Sequence, residues 1–358
     1  KYYNEFQKIL NKLEISINIE GGLVEYHSFD PGYQTRSLRY LTKVLNLLKG
    51  NDYKRCLNLC KKSINFLNHS IMPDGTIYSM FGSRNTELIY PSGIEFMHKK
   101  FNDKKINLAH RIRYAITNNL TKLPISLDYN NFIRLFDDYI DSSFFYKKNN
   151  FVQDKQKSFF MKDYGLEKKQ LKKYSIFIHH KFGGAFVIYK DKKMIYRNAG
   201  LLFQSGNKYY GSRTINFNSY TTINNNKKIN IKLNIIRSID RDLNPYLFIL
   251  IRFLNITFFR LSILSDLLKK IIVRTIIHNK KNKNYGIINR TINLYENKIV
   301  LNDQISFSKK ITNIYRVSYM HLFHTSSSRY NNILNENFES IEKIKSTKKN
   351  LIKNINIK

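Results

Sequence analysis

A chain of 358 residues is long enough for two domains that each bury a hydrophobic core. Apolar residues make up 42% of it and aromatic residues 14%, which excludes a disordered polycation despite a formal net charge of +35. Residues 1–150 hold 22 basic against 14 acidic side chains, and residues 151–358 hold 39 against 12. The more basic second half is expected to attract polyanions, although dispersed lysines on solvated faces would give the same total.

The first half of the chain has the apolar spacing of helices. Leucines recur at three- and four-residue steps from Leu38 until Gly50 interrupts them, and a second series continues to Leu67. Two antiparallel helices joined by a tight turn are therefore predicted. Cys56 and Cys60 lie four residues apart on the second helix, which indicates two buried thiols rather than a disulfide or a metal site.

Further helices are predicted at about 103–119 and 130–145, where apolar residues again recur with a helical period. Irregular, Gly-bearing loops at 21–35 and 73–95 lie between the helices. Helix pairs with functional loops at one end favour a partial α/α toroid, or alternatively a solenoid, over residues 1–150. The chain opens on Lys-Tyr-Tyr without Met, so toroid helices are expected to precede it.

The second half changes to the period of strands. Residues 151–173 are rich in Lys, Gln and Asp and are predicted to be a linker. Ile229–Ile235 alternates apolar and polar residues, and hairpins are predicted at 185–200 and 289–305, each with a polar turn. The predicted fold class is therefore multidomain, α then β, with an antiparallel β-sandwich over residues 174–358.

One apolar stretch, residues 244–273, is the candidate for a membrane span. Arg252, Arg260 and Asp266 interrupt it, and no uncharged run approaches the roughly 18 residues that a span requires. No transmembrane span is predicted. The segment 244–278 is expected to be helical and inserted into the sandwich, and a helix lying on a membrane surface is the minority alternative.

Two loops of the first half concentrate polar side chains. The first, "VEYHSFDPGYQT" at 24–35, contributes Glu25, Tyr26, His27, Asp30, Tyr33 and Gln34. The second, "PDGTIYSMFGSRNTE" at 73–87, contributes Asp74, Tyr78, Arg84, Asn85 and Glu87. Because a rigid scaffold can aim loop side chains, we expect both loops to meet at one hollow facing the sheet half. The structural alternative is that Asp30 and Asp74 shape turns and Arg84 pairs with a local carboxylate.

These two loops resemble the heparinase II/III-like and alginate-lyase-like families. The similar strings are Glu-Tyr-x-x-x-Asp-Pro-Gly-Tyr-Gln-Thr at 25–35 and Pro-Asp-Gly-Thr…Gly-Ser-Arg-Asn-Thr at 73–86. The resemblance implies an α/α toroid followed by a sandwich, with an acidic polysaccharide in the cleft between them. It implies cleavage of a uronate by β-elimination and a periplasmic or extracellular location.

The chemistry of β-elimination accounts for the residue types. The proton next to a carboxylate is a poor acid, so a cation or amide must neutralise that carboxylate as charge builds up. Arg84 and Asn85 are the residues expected to hold it. Tyr26, His27 or Tyr33 is expected to transfer the protons. The predicted substrate-binding residues are Glu25, Asp30, Gln34, Asp74 and Glu87.

The sequence departs from these families in the sandwich. Where related lyases often carry a His-x-His-x-x-Asp-like run, this chain has "FIHHKFGGAFVIY". Adjacent His179 and His180 on a strand point to opposite faces, so zinc is not supported by the spacing and no cofactor is predicted. One histidine is expected in the core and the other in solvent. His321 and His324 could reach the cleft, but their spacing does not require it.

Three functions follow from these observations. The first is a polysaccharide lyase-like enzyme acting on an acidic glycan. The second is a catalytically incomplete relative that binds glycan or takes part in surface-polysaccharide biosynthesis, as the altered sandwich motif indicates. The third is a nucleic-acid-binding protein, for which the sequence offers charge but no groove-reading or base-stacking module. An acidic polysaccharide is therefore the expected partner, and nucleic acid is not.

Overall fold

A computed structural model describes most of the chain. The described residues are 2–25, 28–83, 88–101, 107–121, 129–147, 158–212, 220–224, 227–237, 249, 252–253, 256, 283–317, 338–343 and 348–356.

Helices dominate the first part of the described chain. They are α1 Tyr2–Ser16, α2 Pro31–Leu45, α3 Gly50–Ser70, α4 Ser92–Phe101, α5 Leu108–Thr117 and α6 Tyr129–Phe145, with a short 3₁₀ turn at Ser79–Phe81. A two-stranded hairpin, β1 Val24–Glu25 and β2 Ser28–Phe29, lies between α1 and α2. Helix α2 begins where Asp30 Oδ1 accepts a hydrogen bond from Tyr33 N at 3.0 Å and Pro31 occupies the first turn.

Two antiparallel sheets follow. The five-stranded sheet has the order β3-β4-β5-β6-β7, with strands Phe159–Met161, Leu166–Gln170, Tyr174–His179, Ala185–Lys190 and Lys193–Asn198. The nine-stranded sheet has the order β15-β14-β8-β9-β11-β12-β13-β16, with β10 also paired to β11. Its strands are β8 Gly200–Ser205, β9 Lys208–Gly211, β10 Tyr220–Asn224, β11 Lys228–Arg237, β12 Gly286–Leu294, β13 Lys298–Phe307, β14 Asn313–Val317, β15 Phe338–Lys343 and β16 Lys348–Asn356.

The five-stranded sheet is the middle layer of the molecule. Phe177 and Tyr189 join the hydrophobic core of the helices, whereas their strand neighbours Ile176 and Ile188 join the core of the nine-stranded sheet. This is the period-two alternation of a strand buried on both faces. The molecule therefore has three layers, in the order helices, five-stranded sheet and nine-stranded sheet. The helices cover the face of the five-stranded sheet that points away from the nine-stranded sheet.

The predicted order of helices before antiparallel strands agrees with this architecture. Helices α2, α3 and α6 and the hairpins β6–β7 and β12–β13 lie where the periodicity places them. The sheet begins earlier than predicted, because β3 and β4 fall inside the segment 151–173 that was interpreted as a linker. Of the predicted inserted helix 244–278, only four positions lie among the described residues, and these are helical.

The described helices contain no candidate for a bilayer span, since none of them combines sufficient length with sufficient apolar character.

Cys56 and Cys60 are both buried and free, as their spacing on α3 predicts. The remaining members of the first-half core come mainly from α2, α3, α4 and α5.

Candidate functional site

The first polar loop is built around the β1–β2 hairpin. Tyr26 and His27 lie outside the described residues, as does the side chain of Glu25, whose backbone pairs with Ser28. Tyr33 is half-buried on the first turn of α2. The hairpin and the helix that carries Tyr33 are joined at Asp30.

Two predicted binding residues of this loop are bonded within the fold. Asp30 is 2% exposed and caps α2. Gln34 is 2% exposed as well, and its amide donates to Gly21 O at 3.2 Å and to Ser63 Oγ at 2.7 Å. Its Oε1 accepts from Leu23 N at 2.8 Å. Asp30 and Gln34 therefore shape the loop, and any effect they have on a ligand passes through the residues they position.

The second polar loop begins at a tight turn after α3. Asp74 Oδ1 accepts from Thr76 N at 3.0 Å and from Thr76 Oγ1 at 2.6 Å. Gly75 at φ +81° completes the turn, and a Cβ there would meet Arg111 O at 1.9 Å. Arg84, Asn85 and Glu87, which follow the 3₁₀ turn, lie outside the described residues.

The residues on both sides of positions 84–87 are hydrogen-bonded to the first loop and to α2. Ser83 N donates to Phe29 O at 3.0 Å, two residues after His27. Tyr90 N donates to Thr35 Oγ1 at 3.0 Å, near the start of α2. The residues that flank positions 84–87 are therefore anchored at the β1–β2 hairpin and at α2, so that the two sequence-predicted loops are neighbours.

A buried polar cluster connects the second loop to the five-stranded sheet. Tyr189 on β6 donates its hydroxyl to Asp74 Oδ2 at 3.0 Å and lies 2.9 Å from Tyr78 OH. Burial raises the pKa of the Asp74 carboxyl and raises the pKa of Tyr78 to about 12. Burial also raises the pKa of Tyr189 well above its ordinary value. At neutral pH both tyrosines stay protonated, and the cluster fixes the loop to the sheet.

His179 faces the same interface from the end of β5. Its ring is fully buried and contacts Phe182 at 4.4 Å, Tyr164 at 4.7 Å and Phe81 at 5.6 Å between centroids. Tyr164 also donates its hydroxyl to Phe81 O at 2.7 Å, which ties the 3₁₀ turn to the sheet. The imidazole is thus held among aromatic rings directly behind the second loop.

His180 turns to a different part of the structure. Its Nε2 lies 2.9 Å from Glu167 Oε2, and Lys169 Nζ lies 3.0 Å from the other oxygen of that carboxylate. Burial alone would raise the pKa of Glu167, but the hydrogen bonds from His180 and Lys169 outweigh it and the pKa is lowered. Both histidines are buried, which corrects the expectation of one in solvent.

In the ranges that the structure describes, no three His, Cys, Asp or Glu side chains are grouped to hold a metal ion. Each imidazole already has a place in the packing, His179 among rings and His180 against Glu167. His321 and His324 lie outside the described residues.

Sequence reasoning missed several residues of this region. Tyr189 and Tyr164 come from the sheet half, and their approach to the loops depends on packing that no local pattern encodes. Arg36 on α2 is not among the predicted site residues, yet its Cζ lies 5.9 Å from the ring centroids of both Tyr40 and Tyr90. The available signal was the spacing of Tyr33, Arg36 and Tyr40, which places them on one side of α2.

No family model matches the chain, and no curated protein matches it. Among solved structures, it is similar to the heparinase III-BT4657 gene product, with a TM-score of 0.37, 14% identity, and coverage of 90% of this chain and 44% of that chain. A second structure of that protein with methylated lysines gives a TM-score of 0.35, 14% identity and coverage of 89% and 43%. The chain spans less than half the length of these solved chains, and the likeness is a distant one at the level of the fold.

Proposed function

We propose that this protein is a polysaccharide lyase-like enzyme that cleaves an acidic, uronate-containing glycan by β-elimination. In this proposal the helices form part of an α/α toroid, and the glycan lies in a cleft between the helical part and the sandwich. The observation that carries the proposal is the pair of anchors Ser83–Phe29 and Tyr90–Thr35. They bring the described ends of the two predicted loops together beside the five-stranded sheet.

The proposed reaction needs three groups. Arg84 and Asn85 hold the uronate carboxylate and stabilise the charge that develops on it. A base, His27 or a tyrosine, removes the C5 proton, the C4–oxygen bond breaks, and a C4=C5 double bond forms. The leaving oxygen takes a proton from Tyr26 or Tyr33. Atoms and electrons balance without a cofactor, because one proton leaves carbon and one joins the departing oxygen.

The remaining predicted binding residues support this arrangement in two ways. Glu25 and Glu87 are proposed to contact the sugar hydroxyls. Asp30, Gln34 and Asp74 are bonded inside the fold, so we assign them to positioning rather than to direct contact. A formal net charge of +35 favours encounter with a polyanionic chain and raises its local concentration.

The burial of three predicted binding residues favours a second function. Asp30, Gln34 and Asp74 are each at most 5% exposed, which removes three of the ten predicted site residues from direct contact with a sugar. His179 lies within an aromatic cage rather than at an open edge. These observations favour a glycan-binding or surface-polysaccharide biosynthesis-associated relative that lacks a complete catalytic set.

One experiment separates the two functions. Purified protein is incubated with defined oligouronates, and the absorbance of the unsaturated sugar end is followed. Turnover by the wild type that falls at least 100-fold in Arg84→Ala, but not in the exposed-surface control Arg134→Ala, is the expected result. Undiminished turnover in Arg84→Ala would remove that residue from the site. Binding without any unsaturated product would leave only the binding function.

A further inference from the structure

Helix α2 carries two arginines one turn apart that both lie near Tyr40 but differ in their carboxylate partners. Arg39 is saturated with carboxylates, because its Nε lies 3.0 Å from Asp138 and its Nη2 lies 2.9 Å from Asp141, with Asp137 also in contact. Its side chain is 5% exposed. A guanidinium so enclosed is committed to holding α2 against α6.

Arg36 has a different set of neighbours. Across the described ranges, no ion pair joins Arg36 to a carboxylate, and its side chain is half-buried. Its Cζ lies 5.9 Å from the ring centroids of Tyr40 and of Tyr90. A guanidinium keeps its charge at any physiological pH, and aromatic faces stabilise it without neutralising it. Among the described residues, Arg36 is therefore a fixed positive charge that tyrosines, rather than a carboxylate, surround.

The position of Arg36 connects it to the two loops. It follows Thr35, whose hydroxyl receives the backbone N–H of Tyr90 at the returning end of the second loop. Tyr33, Arg36 and Tyr40 stand at i, i+3 and i+7 on α2, so they lie on one side of the helix. Tyr40 is 51% exposed, which leaves part of its ring open to solvent.

We propose that Arg36, Tyr40 and Tyr33 form a subsite for a sugar carboxylate of an acidic glycan. The inference rests on the proposed function and extends it to a part of α2 that the motifs did not mark. The planar guanidinium offers two parallel N–H donors to a carboxylate. The open ring of Tyr40 offers an apolar face to the C–H side of the same pyranose. The partial burial of Arg36 reduces its hydration, which strengthens the attraction.

The test compares two ligands and two arginines. A defined oligouronate and its methyl-esterified form are titrated calorimetrically into the wild type, Arg36→Gln and Arg134→Gln. Arg134 is exposed on α6, so its variant removes one positive charge that is not a member of the proposed subsite. We expect the wild type to bind the acidic form at least tenfold more tightly than the ester. Arg36→Gln should lose that preference while Arg134→Gln keeps it.

Tyr40→Ala supplies an independent arm, because stacking does not depend on ligand charge. It should weaken binding of both forms about threefold to tenfold. Equal binding of the acidic form by the wild type and Arg36→Gln overturns the subsite while leaving the proposed function intact. Binding of neither form by the wild type overturns both proposals. Loss of charge preference in Arg36→Gln, with no unsaturated product from the wild type, supports the subsite and rejects β-elimination.

Discussion

The two faces of the five-stranded sheet contact different parts of the molecule. The face toward the helices carries Tyr189 and His179, and it meets Asp74 of the second loop. The face toward the nine-stranded sheet is apolar, with Ile176 and Phe186 among its core residues. Successive residues of one strand therefore serve two purposes. Tyr189 on the first face helps to position a loop, whereas the second face packs against another sheet.

The interface between the two sheets contains a buried ion pair. Arg290 on β12 donates to both oxygens of Asp303 on β13, at 2.7 and 2.8 Å. Its Nη1 crosses to the other sheet, donating to Gly184 O at 2.9 Å and to Asn198 Oδ1 at 3.1 Å. Gly184 has φ +61°, and a Cβ there would lie 3.2 Å from Arg290 Cδ. The Gly-Gly turn after the two histidines thus fits the guanidinium that joins the sheets.

The largest expected effect on the free energy of unfolding comes from breaking this ion pair. Arg290→Ala leaves Asp303 as an uncompensated charge in a site that is at most 1% exposed, and should lower the free energy of unfolding by about 3–5 kcal/mol. Urea denaturation measures the loss. The double variant Arg290→Met with Asp303→Leu should recover most of it, because no charge then remains buried. A loss below about 1 kcal/mol in the single variant would contradict this account.

The helical side should depend on pH through Asp138. Burial raises the pKa of this carboxyl to about 6 from an ordinary 3.8, although Arg39 lies beside it and Ser92 donates to it. A folded pKa above the unfolded value means that its stabilising contribution is complete below about pH 3.8 and is lost as pH rises through about 6. Relative to Asp138→Asn, the wild type should lose about 2–3 kcal/mol between pH 4 and 7.

Urea denaturation of both proteins across that pH range gives the difference curve. Asp137→Asn is the matched control, because Asp137 lies on the same helix with its side chain 60% exposed. Over the same range the Asp138→Asn difference should change more than the Asp137→Asn difference, because solvent screens the exposed Asp137 side chain. A flat curve for Asp138→Asn would show that Arg39 keeps the Asp138 carboxylate ionised at low pH.

A smaller effect is expected at the junction of loop and sheet. Tyr189→Phe removes the hydroxyl that donates to Asp74 and contacts Tyr78, and leaves their buried oxygens short of a partner. We expect the free energy of unfolding to fall by about 1–2 kcal/mol. Tyr210→Phe, in the core of the sheet–sheet interface, should change it by less than about 1 kcal/mol. Equal effects of the two variants would erase the contrast between the two faces.

The smallest effect concerns an exposed ion pair that also joins the two sheets. Lys172 Nζ lies 3.0 Å from Glu296 Oε2, with side chains 76% and 70% exposed. Solvent screening and the ordering of two long side chains offset the attraction, so Lys172→Ala should change unfolding by less than about 0.5 kcal/mol. A loss comparable to that of Arg290→Ala would show that burial does not set the difference between these pairs.

The local spacing of apolar residues identified the elements that have one buried face and one accessible face. The hairpin β12–β13 alternates buried and accessible residues, and the leucines from Leu38 marked α2, although α2 begins at Pro31 inside the predicted loop 21–35. Helix α4 was missed because Ser92–Met97 is buried throughout and shows no polar stripe. Its first residue, Ser92, donates through its backbone N–H at 3.2 Å to Asp138, which lies 46 positions along the chain. No neighbouring residue signals that contact.

The strands β3 and β4 show the same limit. Lysines and glutamine made 151–173 look solvated, yet Lys168 is 4% exposed with its Nζ 5.5 Å from the ring centroid of Phe177. An aliphatic stem with a charged end can lie against an aromatic core, which a composition count cannot register. The adjacent positions of His179 and His180 correctly predicted that their side chains point in different directions, but only packing determined that both are buried.

The sequence by itself determined that helices come first and antiparallel strands second, and it marked two polar loops. Those features depend on the periodicity of apolar residues and on Gly, Pro and Asp at turns, all of which act within a few positions. The tertiary structure decided that Ser83 meets Phe29 and that Tyr189 reaches Asp74. It also decided that Arg39 pairs with aspartates of α6, whereas the described neighbours of Arg36 are tyrosines. Those contacts join residues far apart in sequence, so the surroundings of each charge are set by packing rather than by its neighbours along the chain.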